Sequence, residues 1–234
     1  MSNRKAFEII STLDGSPTLS LAGGEKMHSL DGALSETYFI YAPVLDEALK
    51  APHPKILSLG LGIGYNEIIA LAKTLRLGTK DFLILSFEIE EWLIEDFKSW
   101  ALQKDITPLD SCYDEILKLA CQKEAMDPQA VKTLLQQTLQ DGRLLVVGPM
   151  TLENSHGPFQ GILYDAFSNH TDPELWDQTY LETFLQNYSD PEHCYFATYA
   201  ATGNLKRALI SQGFTLEDKK GFGRKRQSTY AFCK

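Results

Sequence analysis

The sequence predicts an α/β protein built on a mostly parallel sheet with helices on both faces. Three observations carry this. Short apolar runs recur along the chain, and most are followed by an amphipathic stretch of helical period. A glycine-rich turn, Gly60-Leu-Gly-Ile-Gly64, joins the first clear strand to the first clear helix. Two late apolar runs have no helix between them, which predicts a terminal hairpin and one antiparallel strand.

Taken in order, Lys55–Leu59 reads as a buried strand and leads through the glycines into a helical pattern, Asn66–Leu77. Phe82–Phe87 is the next strand and Glu90–Leu102 the next helix. Thr107-Pro108 then offers an N-cap and a first-turn proline, with Asp110 three residues after the cap. Leu109, Tyr113, Ile116, Leu117 and Ala120 line one face of that helix. Asp127-Pro128 repeats the start signal for a helix to about Leu139. This pair, about residues 105–140, is expected to be a helical insertion packing on the sheet edge. Leu144–Val147 and Ile162–Tyr164 are strands, followed by a helix over Pro173–Tyr188 and a strand over Cys194–Tyr199. Leu205–Gln212 is helical with Gly213 as its stop, and Phe214–Glu217 and Ser228–Phe232 close the chain as strands. Residues 1–54 are expected to form an amino-terminal extension, with a helix within Gly32–Lys50, packing on a core domain of residues 55–234.

Composition excludes several classes. With 234 residues, 44% hydrophobic and 23% charged, the chain can bury a sizeable core, so disorder, collagen and coiled coil are excluded for most of it. No apolar run approaches the ~18 residues of a membrane helix. Met1–Gly15 has no signal-like pattern. The four cysteines form no C-x-x-C pair and the five histidines have no ligand spacing, so no metal site is expected and a reducing, cytoplasmic setting fits. His170 alone shares a loop with a candidate acid, Asp165. The net charge of −9 is uneven. Residues 201–234 hold eight basic residues against two acidic, a net of +6, which leaves −15 for residues 1–200. An acidic body does not coat nucleic acid, but a basic tail holds a few phosphates.

Three places carry chemistry. Gly60, Gly62 and Gly64 lie between a strand and a helix, where backbone approaches a ligand closely and free N–H groups point outward. The third glycine comes one residue too early for a dinucleotide fingerprint, and a tight turn alone is the plainer reading. Glu88 ends the next strand, where a carboxylate accepts hydrogen bonds from a ribose diol of NAD or S-adenosylmethionine; Glu90 and Glu91 are its competitors. Asp165 ends a buried strand and faces the ligand crevice of an open sheet, either as a proton acceptor or as a loop cap.

Several blocks occur in one order: Gly60 to Gly64, Ser86-Phe-Glu88, Asp165-Ala-Phe167, Asp172-Pro-Glu-Leu-Trp176 and Gly221-Phe-Gly-Arg-Lys-Arg226. Together with His28-Ser29, Gly32 to Thr37 and Thr198 to Arg207, they resemble the methyltransferase half of the bacterial tRNA 5-methylaminomethyl-2-thiouridine biosynthesis protein, an MnmC-like family. The resemblance covers about residues 28–230. It implies a class I S-adenosylmethionine-dependent methyltransferase fold, Rossmann-like, with a seven-stranded sheet and a late antiparallel hairpin. It implies methyl transfer to the amine of 5-aminomethyl(-2-thio)uridine at the tRNA wobble position, with S-adenosylmethionine as cofactor and the anticodon region of tRNA as partner. By motif, Gly60, Gly62, Gly64 and Glu88 hold the cofactor, Glu36 lines the same cavity, and Asp165 sits beside the amine. Phe167 and the basic block Arg224, Lys225 and Arg226 lie toward the substrate. Where the family has Gly-Asp after its third strand, this chain has Gly148-Pro149-Met150, and Asn169 to Asp172 replaces the usual Pro and Asn. The flavin oxidase half of the bifunctional proteins is absent from these 234 residues, so a partner oxidase is implied. Two alternatives stand beside this reading: transfer to a free small amine, and a non-catalytic module binding S-adenosylmethionine or RNA.

Overall fold

A computed structural model describes residues 4–21, 26–223 and 226–233. The chain opens with a separate hairpin, β1 (Phe7–Ser11) and β2 (Pro17–Leu21). Two helices follow, α1 (Ala33–Ile40) and α2 (Ala42–Ala48). The core then runs β3 (Lys55–Leu59), α3 (Tyr65–Leu77), β4 (Leu83–Phe87), α4 (Glu91–Leu102), α5 (Asp110–Glu124), α6 (Pro128–Asp141), β5 (Leu144–Val147) and β6 (Gly161–Tyr164). A short 3-10 helix (Pro173–Trp176), α7 (Gln178–Tyr188), β7 (Cys194–Thr198), α8 (Gly203–Ser211), β8 (Thr215–Lys220) and β9 (Gln227–Cys233) complete it.

Seven strands form one sheet in the order β5-β4-β3-β6-β7-β9-β8. β5, β4, β3, β6 and β7 are parallel, and β9 runs antiparallel to both β7 and β8. The late hairpin and its single reversed strand therefore match the expectation from sequence. Alternate side chains of each strand enter two different cores. Ile56, Ile84, Leu163 and Tyr195 pack on the side of α1–α6. Leu57, Leu85, Ile162 and Phe196 pack on the side of α7 and α8. α2 lies against β3, β6 and β7, while α5 and α6 pack on α3 and α6 reaches the edge strand β5.

Three expectations change. The stretch Gly32–Lys50 holds two helices rather than one, broken at Tyr41. α5 starts at Asp110 with Leu109 at its N-cap position, and the expected pairing of Thr107 with Asp110 stands just ahead of it, the Thr107 hydroxyl and N–H both bonding to the Asp110 carboxylate. The helix expected over Pro173–Tyr188 is split at Asp177, whose backbone is extended and whose carboxylate accepts from the N–H groups of Thr179 and Tyr180. A strong N-cap thus starts a new helix inside a stretch whose apolar pattern is continuous. The β1–β2 hairpin has no counterpart among the elements expected from sequence.

Candidate functional site

From β3 the chain moves to β4 and β5 on one side of the sheet, then returns to β6 and β7 on the other. The connections that leave the carboxyl ends of β3 and β6 therefore run in opposite directions, which opens the crevice where such sheets bind ligands. A cavity of about 670 Å³ lies there.

The glycine turn forms its floor. The N–H groups of Gly60 and Leu61 both donate to Phe87 O, at 3.0 and 3.1 Å. Gly60 has φ +97°, and a Cβ there would stand 2.5 Å from the Asp165 carbonyl oxygen. No other residue fits between the ends of β3 and β6. Gly62 lines the cavity beside Met27, and its N–H is turned toward Glu88. Gly64 does not line it. At φ +78° it turns the chain into α3, and a Cβ would fall 2.5 Å from the Phe97 ring. The tight-turn reading holds for Gly64, and the ligand reading is left to Gly60 and Gly62.

Glu88 is 6% exposed and lines the cavity. Its Oε2 accepts from Gly62 N–H at 2.8 Å and its Oε1 from Glu90 N–H at 2.9 Å. Burial pushes this carboxyl upward, and the backbone N–H groups of Glu90, Gly62 and Ile89 oppose the shift. A carboxylate accepts about four hydrogen bonds, so Glu88 has room for a further donor. Glu90 instead accepts from Trp92 Nε1 and pairs with Lys5, and Glu91 opens α4; of the three acids, Glu88 is the one that lines the cavity.

On the opposite wall, Glu36 lines the cavity from α1, with its Oε2 accepting from Ser29 N–H at 2.6 Å. Asp165 stands at the end of β6, its own N–H bonded to Leu59 O at 2.9 Å. Its Oδ1 accepts from the Tyr41 hydroxyl at 2.7 Å and its Oδ2 from Asn66 Nδ2 at 3.3 Å. Phe167 lines the cavity too, and its carbonyl accepts from Trp176 Nε1 at 2.7 Å, which fixes the loop after β6. Pro149 and Met150 line the wall at the end of β5, where an apolar surface stands in place of the acid.

Arg226 is exposed and outside the cavity lining, and Arg224 and Lys225 fall outside the described residues. The adjoining turn packs on α1 through Phe222 and Phe39, whose ring centroids are 5.9 Å apart. His170 is exposed and does not line the cavity. Sequence reasoning misses Tyr41 and Asn66. Asn66 follows the glycine turn directly and is a visible polar residue at a helix start; Tyr41 sits 124 residues before its partner and leaves no local signal. Among the described residues no group of three or more His, Cys, Asp or Glu could hold a metal ion. Among them, too, no helix is long and apolar enough to cross a membrane.

Comparison with known proteins adds identity to this geometry. Residues 113–234 match a family model described as S-adenosyl-L-methionine-dependent methyltransferase. An uncharacterized protein of Methanocaldococcus jannaschii is 25% identical over 96% of this chain and 59% of its own length. The tRNA 5-methylaminomethyl-2-thiouridine biosynthesis bifunctional protein MnmC of Pseudoalteromonas atlantica is 24% identical over 95% of this chain and 33% of its own. The chain thus spans about a third to three fifths of the length of these relatives. The crystal structure of MnmC2 from Aquifex aeolicus superposes with a TM-score of 0.67 at 26% identity, over 98% of this chain and 71% of that one. With more than half of its residues matched by the family model and a seven-stranded sheet that ends in the expected antiparallel hairpin, the chain belongs to the S-adenosyl-L-methionine-dependent methyltransferases, and S-adenosyl-L-methionine is its cofactor.

Proposed function

We propose that this methyltransferase acts on tRNA, moving a methyl group to the amine of a 5-aminomethyl group on the wobble uridine. The observation that carries the methyl-transfer half is a single cavity holding Glu88 on one wall and Asp165 on the other, with Gly60 and Gly62 between them. The tRNA half rests on the named MnmC relatives and on the motif blocks by which the sequence resembles that family.

The residues fit the cofactor. Glu88 offers acceptors for a ribose diol, and the absence of a side chain at Gly62 leaves space beside Met27 for a ligand to lie on the backbone. The apolar wall of Pro149 and Met150, with Ile89 61% exposed at the same cavity, suits the face of a purine. When bound, S-adenosyl-L-methionine supplies a methyl already activated on a sulfonium. The chain's task is alignment, which by itself supplies several kcal/mol of rate. Asp165 accepts a hydrogen bond from the amine, orients it, and receives the proton that the alkylated nitrogen sheds. Glu36 adds negative potential that draws the cationic amine inward, and the nitrogen attacks once it has released one proton to solvent. The aminomethyl group is supplied by an oxidase activity in another domain or protein.

Nucleoside mass spectrometry on tRNA from cells lacking this gene tests the reading. Accumulation of 5-aminomethyl uridines with loss of the methylaminomethyl form is the expected result. An unchanged nucleoside profile, with methylation of small amines by the purified protein, would move the acceptor from tRNA to a free amine.

A further inference from the structure

We infer that Tyr41 is a positioning residue for the transfer step: its hydroxyl fixes the Asp165 carboxylate in the rotamer that meets the acceptor amine. This rests on Asp165 being the amine's partner.

The main chain of Asp165 is already locked, by its N–H to Leu59 and by close contact of its carbonyl with Gly60. Its side chain retains two rotations, and a carboxylate free to turn offers an amine no fixed acceptor. Tyr41 removes that freedom. It lies at the break between α1 and α2, is 2% exposed, and packs in the core on the α1–α6 side of the sheet. Its hydroxyl is 2.7 Å from Asp165 Oδ1 and 3.5 Å from Tyr164 O. A phenol has one proton, and the shorter, charged acceptor takes it. Burial first, and then the neighbouring carboxylate, push the Tyr41 phenol well above its ordinary range, so it stays a donor at every working pH. Asn66, from the first turn of α3, holds Oδ2 at 3.3 Å. Two donors, one from the break between α1 and α2 and one from α3, therefore grip the two oxygens.

The other ionisable groups facing this cluster are Tyr199 from the end of β7 and Glu36 from α1. Neither is altered by Tyr41→Phe, which keeps the ring and removes only the hydroxyl. Losing a donor to a carboxylate favours its protonated form. The Phe variant is therefore expected to lower single-turnover methylation of aminomethyl tRNA by at least about tenfold at neutral pH, the scale of one hydrogen bond to a charged group. It also moves the acid limb of the pH–rate profile to higher pH, and it leaves the dissociation constant for S-adenosyl-L-methionine unchanged. A purely structural role would lower the melting temperature without moving the pH limb.

Asp165→Asn and Tyr41→Phe are measured in parallel, together with a ¹³C-carboxyl NMR titration of aspartate-labelled protein that needs no acceptor. Full turnover in the Asn variant overturns the role of Asp165 itself. A slow Asn variant beside a Phe variant with wild-type rate and pH limb overturns the role of Tyr41 alone. An Asp165 resonance that titrates identically with and without the Tyr41 hydroxyl also overturns it, whatever the acceptor proves to be.

Discussion

Glu67 is a fully buried carboxyl group in the first turn of α3, just after the glycine turn. Ser58 and Ser86 are register partners on β3 and β4, and the Ser86 hydroxyl donates to Glu67 Oε1 at 2.7 Å. Oε2 is buried with no hydrogen-bond partner. Burial raises this carboxyl from 4.5 to about 7, while the serine hydroxyls pull it back. The native state thus keeps a proton that the unfolded chain releases. Stability falls as pH rises between those two values, because in that window the native state binds more protons than the unfolded state. The loss is about 3 kcal/mol at 1.36 kcal/mol per pH unit. Glu67→Gln keeps an acceptor for Ser86 and abolishes the titration. Urea unfolding at pH 5 and pH 8 is expected to show the wild type losing that much more stability than the variant. Equal losses would mean that Glu67 is already ionised at pH 5. The sequence displays Glu67 only as one more acid near a helix start; its isolation is a property of three elements meeting.

At the scale of elements, α1 is held by a hairpin far from it in sequence. Its N-cap, Gly32, has no side chain to offer. The free N–H groups of Ala33, Leu34 and Ser35 are taken instead by Thr12 Oγ1 at 3.2 Å, Ser16 Oγ at 2.9 Å and Asp14 Oδ2 at 2.9 Å, all from the β1–β2 turn. Burial would push the Asp14 carboxyl up, but hydrogen bonds from Ser16, Ser35 and Thr12 outweigh it and hold it well below the ordinary range. Asp14→Ala is expected to cost about 1–2 kcal/mol, the scale of a missing N-cap. For a depressed carboxyl that contribution is complete above the unfolded-state value, near pH 4, and disappears as pH falls through the lower folded-state value. Chemical denaturation at pH 7 therefore separates the Ala variant from wild type, and the gap narrows under strong acid; a constant gap would assign the cost to packing. This cap also marks the border of what the sequence discloses. The glycine turn, Glu88 and Asp165 are legible because strand, turn and acid are neighbours in the chain, and so is the Asp127 cap of α6. The hairpin's hold on α1 and the grip on Asp165 depend on partners 18 to 124 residues away, where no local periodicity reports them.

Across the whole molecule, charge is sorted by place. Residues 1–200 carry −15, and the cavity is lined by Glu36, Glu88, Asp165, Asp172 and Glu174, with Lys26 the one lysine or arginine among its described lining residues. Such a pocket attracts an amine and repels a phosphate. The compensating +6 lies in residues 201–234, which supply α8 and the hairpin β8–β9, whose outer strand forms one sheet edge. Lys219 is committed to the fold, since its ammonium donates to Phe39 O and lies over the Phe39 and Tyr230 rings. Lys220 and Arg226 are exposed. A tRNA reaching this cavity would thus be anchored at the hairpin by phosphate while its amine enters an acidic pocket. If that division holds, Arg224→Ala, Lys225→Ala and Arg226→Ala combined weaken tRNA binding and flatten its salt dependence. Each single-strand phosphate left without its cation lowers the log–log slope by ~0.7, so the three together lower it by at most ~2. The affinity for S-adenosyl-L-methionine is expected to stay constant, because Arg226 does not line the cavity. Anisotropy titrations of labelled tRNA over a salt series, with calorimetry for the cofactor, decide the matter. Parallel salt slopes in wild type and variant would mean that these three cations are merely solvated and that the polyanion is held by another face.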